Sequence, residues 1–369
     1  MGQSVVFMLF LILLPVFAAT MFMPYLTRRT ESFGVSIPED VYQSSKLRAM
    51  RKQYAMVTGM IGMIVFVAFL LFADAMTRSS DFLAIGFSAG LVVYLVSMFV
   101  VYLKYHYQMK RLKAEEKWAE HRSQQVAVDM RFRDKKLIHS NGWFAIPFLI
   151  SFGTLIMTLL LYDRIPERIP MQYDFNGNVT NWSAKSYRSV MVMPVMMLYL
   201  TLLFLLINVI IGKVKQQLSA ENPEKSMQQN IIFRRRWSGF IIITGTALTL
   251  LFFVIQLSFI VPVNAQILTI VPLVFGLAVT VGAIVLSFTT GQGGSRIVAS
   301  DGEKEGVIDR DDDRFWKLGQ FYFNNDDPAL FIEKRFGVGW TINVARPLVW
   351  IFLVLIILLA VAIPVVLGA

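Results

Sequence analysis

Eight apolar stretches run through the chain, at roughly residues 4–26, 53–73, 82–103, 143–162, 189–212, 238–261, 265–290 and 347–369, and none contains a charged residue. Each has about the 20 residues that a helix needs to cross the hydrocarbon core of a bilayer. Lipid offers the backbone no hydrogen bonds, so such stretches fold as helices. The expected fold is an all-α membrane protein, a bundle of eight transmembrane helices. The charge-free interiors also exclude. Pumps, ion-coupled carriers and intramembrane enzymes keep ionisable residues at depth. Specific chemistry is therefore expected in the loops.

Only 16% of the residues are charged, against about 25% in soluble domains. Cysteine is absent, which removes disulfides, thiolate metal sites and cysteine nucleophiles. The three histidines, His106, His121 and His139, are scattered. No cofactor is implied. No basic segment precedes the first apolar stretch, so it reads as a retained helix and not as a cleaved signal. Gly2 is followed by Val6 where a myristoylation motif has Ser or Thr.

The net charge of +10 is resolved by topology. With the N-terminus outside and eight alternating spans, all but five of the 35 Lys and Arg fall on the inner side; the exceptions are Arg78, Arg164, Arg168, Lys185 and Arg188. That is the positive-inside pattern. It predicts both termini outside, and it accounts for the basic balance by attraction to the anionic inner leaflet and not by nucleic acid.

Three domains follow: a membrane bundle over 1–290, an inner β-containing module over 291–346, and an eighth helix over 347–369. In the first inner loop, Ser36, Pro38 and Glu39 read as a capping box. A basic amphipathic helix should continue through Lys46, Arg48, Arg51 and Lys52 into the second span. A short turn, Arg78 to Asp81, pairs the second and third spans in an antiparallel hairpin. Residues 126–133 alternate apolar and polar, the period of a half-buried strand, and are expected to pair with the module. Arg234, Arg235 and Arg236 beside Trp237 read as interfacial anchors. Gly291 to Ser295 reads as a flexible linker, and lacks the Lys-Ser/Thr ending of a phosphate loop. Two or three short strands are expected between Asp311 and Arg346, broken by the turn cluster Asn324 to Pro328. The acidic run Asp309 to Asp313 reads as solvated.

The outer loop 163–188 is the most distinctive exterior segment. Pro166 and Pro170 hold an extended approach. Asp174, Asn176 and Asn178 begin like a calcium loop, but the glycine stands fourth, at Gly177, and not sixth. A turn around Asn176 and Gly177 is the better reading. Asn178 and Asn181 each open a glycosylation triplet, a match that chance often supplies.

The run from Ile165 to Asn178, with Trp182, Lys185 and then a membrane span, resembles the signature loop of a bacterial multi-pass membrane family, the domain of unknown function 1648. Relatives of that family include immunity proteins of the SdpI type, which protect a cell from a secreted toxin and help signal its presence. The family loop usually carries a His where this chain has Gln172. The runs from Asp313 to Pro328 and from Phe336 to Pro347 resemble a second uncharacterised module of similar Gram-positive proteins, the domain of unknown function 5808. The resemblance implies a Gram-positive plasma membrane.

No zinc-binding His pair and no nucleophile elbow occurs in the sequence. The leading expectation is a non-enzymatic sensor or immunity-type protein. It would meet an extracellular peptide or envelope component through Pro170, Gln172, Asp174, Asn176, Gly177, Trp182 and Lys185. It would meet a cytoplasmic regulator through Trp316, Tyr322, Asp326, Asp327, Lys334, Arg335 and Trp340. The lipid bilayer is the one obligatory partner, and the oligomeric state is open. The alternative is a transporter or permease subunit for an apolar or amphiphilic solute, with Asn208 and Gln256 lining its path. A structural partner in a larger membrane complex is a third reading.

Overall fold

A computed structural model describes residues 2–76, 80–118, 124–125, 135–173, 177–219, 222–298, 308–309 and 312–367. The chain is mostly helical: α1 (Gly2–Leu26), α2 (Ser45–Met76), α3 (Ser80–Glu115), α4 (Ala145–Leu160), α5 (Tyr187–Lys213), α6 (Pro223–Leu257), α7 (Ala265–Thr290) and α8 (Pro347–Leu367). Among the described residues, α2 to α8 give seven helices long and apolar enough to cross a membrane. The described residues also form five two-stranded sheets. β1 (Glu31–Ser32) pairs with β2 (Val35–Ser36), β4 (Arg168–Tyr173) with β5 (Val179–Ala184), β7 (Trp316–Lys317) with β8 (Phe321–Tyr322), and β9 (Phe331–Glu333) with β10 (Trp340–Ile342), all antiparallel. β3 (Gln124–Gln125) pairs in parallel with β6 (Ile308–Asp309). The predicted strand at 126–133 lies outside the described residues.

The helices bury polar groups in a way suited to lipid. On α4, the hydroxyls of Ser151, Thr154 and Thr158 each donate to the carbonyl four residues back. Thr201 and Thr249 do the same on α5 and α6. A hydroxyl bonded this way carries no free donor into the interior. Outward faces are apolar: Ile351, Val354, Ile357, Val361 and Val365 of α8 are all exposed. Such an exposed band suits a bilayer and not water.

Helices begin earlier than the apolar stretches suggest. Asn222 caps α6, its Oδ1 accepting the Lys225 backbone N–H at 3.1 Å, and Pro223 occupies the first helical position. The polar segment ahead of the apolar stretch 238–261 is thus helical from Pro223. Asn264 starts α7 similarly, accepting the Gln266 N–H at 2.9 Å. α2 and α3 pack side by side, with the Phe69 and Phe87 ring centroids 5.7 Å apart. Residues 77–79 of their connection lie outside the described residues.

Two compact units divide the chain. The first holds 1–135, 214–233 and 281–345, and the second holds 136–213, 234–280 and 346–369. Residues 291–345 therefore fall in the first unit. Its core gathers Phe33, Val35, Ile37, Tyr42, Leu47, Tyr54, Tyr102, Tyr105 and Met109, with Phe336 against them. The β1–β2 turn centres on Phe33 and Gly34, both at positive φ (47° and 77°), as a type I′ hairpin turn requires. A Cβ on Gly34 would stand 2.5 Å from the Gly319 carbonyl oxygen, so this turn and the β7–β8 connection fit only through glycine. Phe33 is held in its unusual conformation by its surroundings. Its carbonyl accepts from His106 Nδ1 (2.8 Å) and Tyr102 Oη (3.3 Å), and its ring stacks on Tyr105.

The expected basic helix through Lys46, Arg48, Arg51 and Lys52 is present as the start of α2, and two other sequence expectations change in this unit. Ser36 does not cap a helix; its N–H and Oγ both donate to Asp313 Oδ1 at 3.1 Å. A single 3₁₀ turn, Asp40–Gln43, intervenes before α2. Arg51 is buried, donating to the Tyr42 carbonyl at 2.8 Å with its guanidinium 4.1 Å from the Tyr42 ring centroid. Gly291 to Ser295 is not a loose linker. Gln292 is fully buried, its Nε2 donating to the carbonyls of Lys334 (3.0 Å) and Gly339 (2.8 Å) and its Oε1 accepting the Gly339 N–H (2.7 Å).

In the second unit, Arg234 is fully buried, donating to the Ile211 carbonyl at 3.0 Å. The interfacial-anchor reading fails for it, because the helix turns this guanidinium inward. Asn208 and Gln256 are also fully buried. Asn208 donates to Asn141 Oδ1 (2.8 Å) and accepts from Ser238 Oγ (2.6 Å). Gln256 Nε2 donates to Thr158 Oγ1 (3.0 Å) and the Val190 carbonyl (3.1 Å).

Candidate functional site

The outer loop folds as the β4–β5 hairpin of the second unit. Its register pairs Ile169 with Ser183, Pro170 with Trp182, Gln172 with Asn181 and Tyr173 with Val179, with irregularities around Gln172. Pro170 lacks an N–H, which a two-stranded ribbon tolerates because both strands are edges. One side of the hairpin is clamped. Ile165 and Ile169 are buried with Val190 and Phe259, and Tyr162 and Met171 pack on them. Lys185 closes the base: its N–H donates to the Glu167 carbonyl at 2.9 Å, and its ammonium lies 4.8 Å from the Tyr162 ring centroid. Tyr162 stacks on Tyr187 with centroids 4.1 Å apart. Ser186 and Ser189 exchange reciprocal N–H to Oγ bonds at 3.0 Å, starting α5 directly after the hairpin.

The other side is open. Trp182 is 54% exposed, and Gln172 and Asn181 are exposed beside it. Gly177 has φ +84°, and a Cβ there would meet the Ala265 Cβ at 3.1 Å, so its backbone lies close against the start of α7. Asp174 and Asn176, two of the predicted recognition residues, lie outside the described residues. Pro170 and Lys185 are half-buried and serve the hairpin's own structure.

The segment 312–345 is stitched into the first unit by charge. Arg335, 2% exposed, ion-pairs with Asp312 and Asp313, and its Nε stands 3.8 Å from Glu31 Oε1. Lys113 Nζ reaches Asp313 Oδ2 at 2.6 Å. Glu333, fully buried, pairs with Arg28 and accepts from Asn230 Nδ2 at 2.8 Å. The acidic run is therefore not merely solvated at Asp312 and Asp313. Asp327 accepts from Lys215 Nζ (2.6 Å), Tyr322 Oη (2.8 Å) and the Ala329 N–H (3.0 Å). Burial alone would raise the Asp327 carboxyl, but these three donors outweigh it and hold it below the usual carboxylate range. Burial and the neighbouring carboxylate push the Tyr322 phenol up to about 12.

Of the predicted inner surface, Trp316, Tyr322, Asp327 and Arg335 are buried, and Trp340 is half-buried with its ring 5.5 Å from Phe233. These residues hold the module in place. Asp326 and Lys334 are exposed. Asp326 and Lys334 lie at different turns of the segment, while Tyr322, Asp326 and Arg335 line one cavity. Sequence reading missed Arg28, Glu31, Lys113, Asn230 and Gln292. The available signal was an opposite-sign match: lone acids among basic loop residues, and lone bases in the acidic C-terminal stretch.

Four cavities of about 130 to 410 Å³ are lined by residues of the first unit, and neither Asn208 nor Gln256 lines any of them. Among the described residues no group of three or more His, Asp or Glu side chains is placed to hold a metal ion.

The hairpin decides what the chain resembles. Residues 149–198 match the model of a domain of unknown function (DUF1648). This match covers the end of α4, the whole hairpin and the start of α5. Residues 326–350 match a second family of unknown function (DUF5808), spanning β9, β10 and the start of α8. No curated protein and no solved structure matches the chain.

Proposed function

We propose that the chain is a non-enzymatic sensor or immunity-type protein of a bacterial plasma membrane, with eight spans and both termini outside. The β4–β5 hairpin receives an extracellular peptide or envelope component, and the inner module passes the signal to a cytoplasmic regulator. The observation that carries this reading is Trp182, 54% exposed on a hairpin whose opposite side is clamped. A rigidly held, exposed aromatic is the kind of residue that dominates recognition surfaces.

The transporter reading needs a solute path lined by Asn208 or Gln256. Both are fully buried and bonded to neighbouring helices, a packing role. The sensor reading is preferred for that reason.

The test is a protection assay in a sensitive bacterial host challenged with a secreted toxin-peptide fraction. Trp182→Ala should abolish protection while membrane insertion stays normal, and Trp182→Phe should retain part of it. Full protection by Trp182→Ala would remove the hairpin from recognition.

A further inference from the structure

We propose that the first unit binds a phosphate-bearing anion in a cavity of about 260 Å³ beside the start of α6. Four cations line it: Arg28 and Arg29 just after α1, Lys225 in the first turn of α6, and Arg296 just after α7. Among the described residues of the lining, Glu39 is the one acid. The hydroxyls of Ser226 and Ser295 share the wall. Arginine, lysine and hydroxyl groups around one hollow are the donor set that phosphate oxygens take.

The neighbouring cavity shows that this balance is particular. It is larger, about 410 Å³, and shares Arg28, yet Glu31, Asp312 and Asp326 offset its basic residues. The charge bias therefore belongs to the first cavity and not to the whole inner face. Arg296 is oriented by the chain itself, its guanidinium donating to the Phe288 and Tyr25 carbonyls, both at 2.9 Å. Arg28 is fixed by Glu333 and by Gln217 Oε1 at 2.6 Å. Arg29 sits 3.8 Å from Glu39 with half its side chain in solvent, a weak pair that an anion can displace. The cavity is several times the volume of a water molecule, about 30 Å³, so a phosphate with a small organic tail fits. It lies just past the ends of two apolar helices. A lipid headgroup and a soluble phosphate compound present the same chemistry there.

The experiment uses the full chain in nanodiscs. In one arm, phosphatidylcholine discs are titrated with pyrophosphate and the unfolding temperature is followed. In the other, discs containing phosphatidylglycerol are dissolved and the lipid retained by the protein is weighed by native mass spectrometry. A saturable rise with pyrophosphate identifies a soluble ligand. Selective retention of phosphatidylglycerol without that rise identifies the lipid. In either case the Lys225→Gln/Arg296→Gln double variant should bind about tenfold more weakly or less, and Arg314→Gln, in the neighbouring cavity, should bind as the native chain does. Should the double variant not fold, Arg29→Gln at the solvent-facing edge should still weaken binding about threefold. Absence of both signals in the native chain, or equal binding by a folded cavity variant, overturns the proposal.

Discussion

Two small β modules are held to their helices by opposite means. The β4–β5 hairpin is clamped by apolar burial, through Ile165, Ile169, Val190 and Phe259. The segment 312–345 is held by buried ion pairs through Arg335, Glu333 and Asp327. The 312–345 segment has a small apolar cluster of its own, Trp316, Tyr322 and Ile332 with Phe315, but isolated hairpins are marginal. The apolar clamp leaves the hairpin's other side free to present Trp182. The ionic attachment uses up the very residues that looked available for a partner. Exposure after folding, and not residue chemistry, separates a recognition surface from a structural joint.

Breaking the ionic joint should have the largest effect. Arg335→Ala leaves Glu31, Asp312 and Asp313 without their shared cation. Removing one member of a buried ion pair costs about 3–5 kcal/mol. The first unit should lose most of its thermal stability in detergent, while limited proteolysis finds the β4–β5 hairpin still protected. Breaking the apolar clamp should cost less. Ile169→Ala removes a fully buried side chain, an effect of about 3 kcal/mol, and the protease sensitivity should reverse, with the hairpin cut first. A change that moves both regions equally would remove the contrast.

Acid sharpens the comparison with the smallest effect. Asp327 is depressed in the folded chain. Its contribution is therefore full above the unfolded carboxylate value near 4 and is lost as pH falls through the lower folded value. Thermal stability of the native chain should fall over that acid range, and Asp327→Asn should flatten this part of the profile. The hairpin clamp, being apolar, should not respond. An unchanged profile in Asp327→Asn would place the acid sensitivity elsewhere.

The helices were legible because a charge-free apolar stretch has few alternatives in lipid. The extended approach at Pro170 and the positive φ of Gly177 were legible for local reasons, proline chemistry and a glycine conformation. The joint was not. Arg335 and Glu31 lie some 300 residues apart in sequence, and nothing local marks two opposite charges as partners. Gln292 looked like linker because its neighbours are glycines, and its three hydrogen bonds are made to a distant turn. Arg234 looked like an anchor because arginine beside Trp237 usually is one, yet helix phase directs it inward. Short-range signals carried the elements, while the long-range pairing that fixes exposure carried the site.

The proposed function requires the hairpin to be reached from outside the cell and the 312–345 segment from inside. The chain has no cysteine, so single substitutions report cleanly. Gln172→Cys and Asp326→Cys, both at exposed positions, can be treated in intact protoplasts with a membrane-impermeant maleimide. Labelling at 172 before lysis, and at 326 only after it, is the expected result. Labelling of both in intact protoplasts, or of 326 alone, would contradict it.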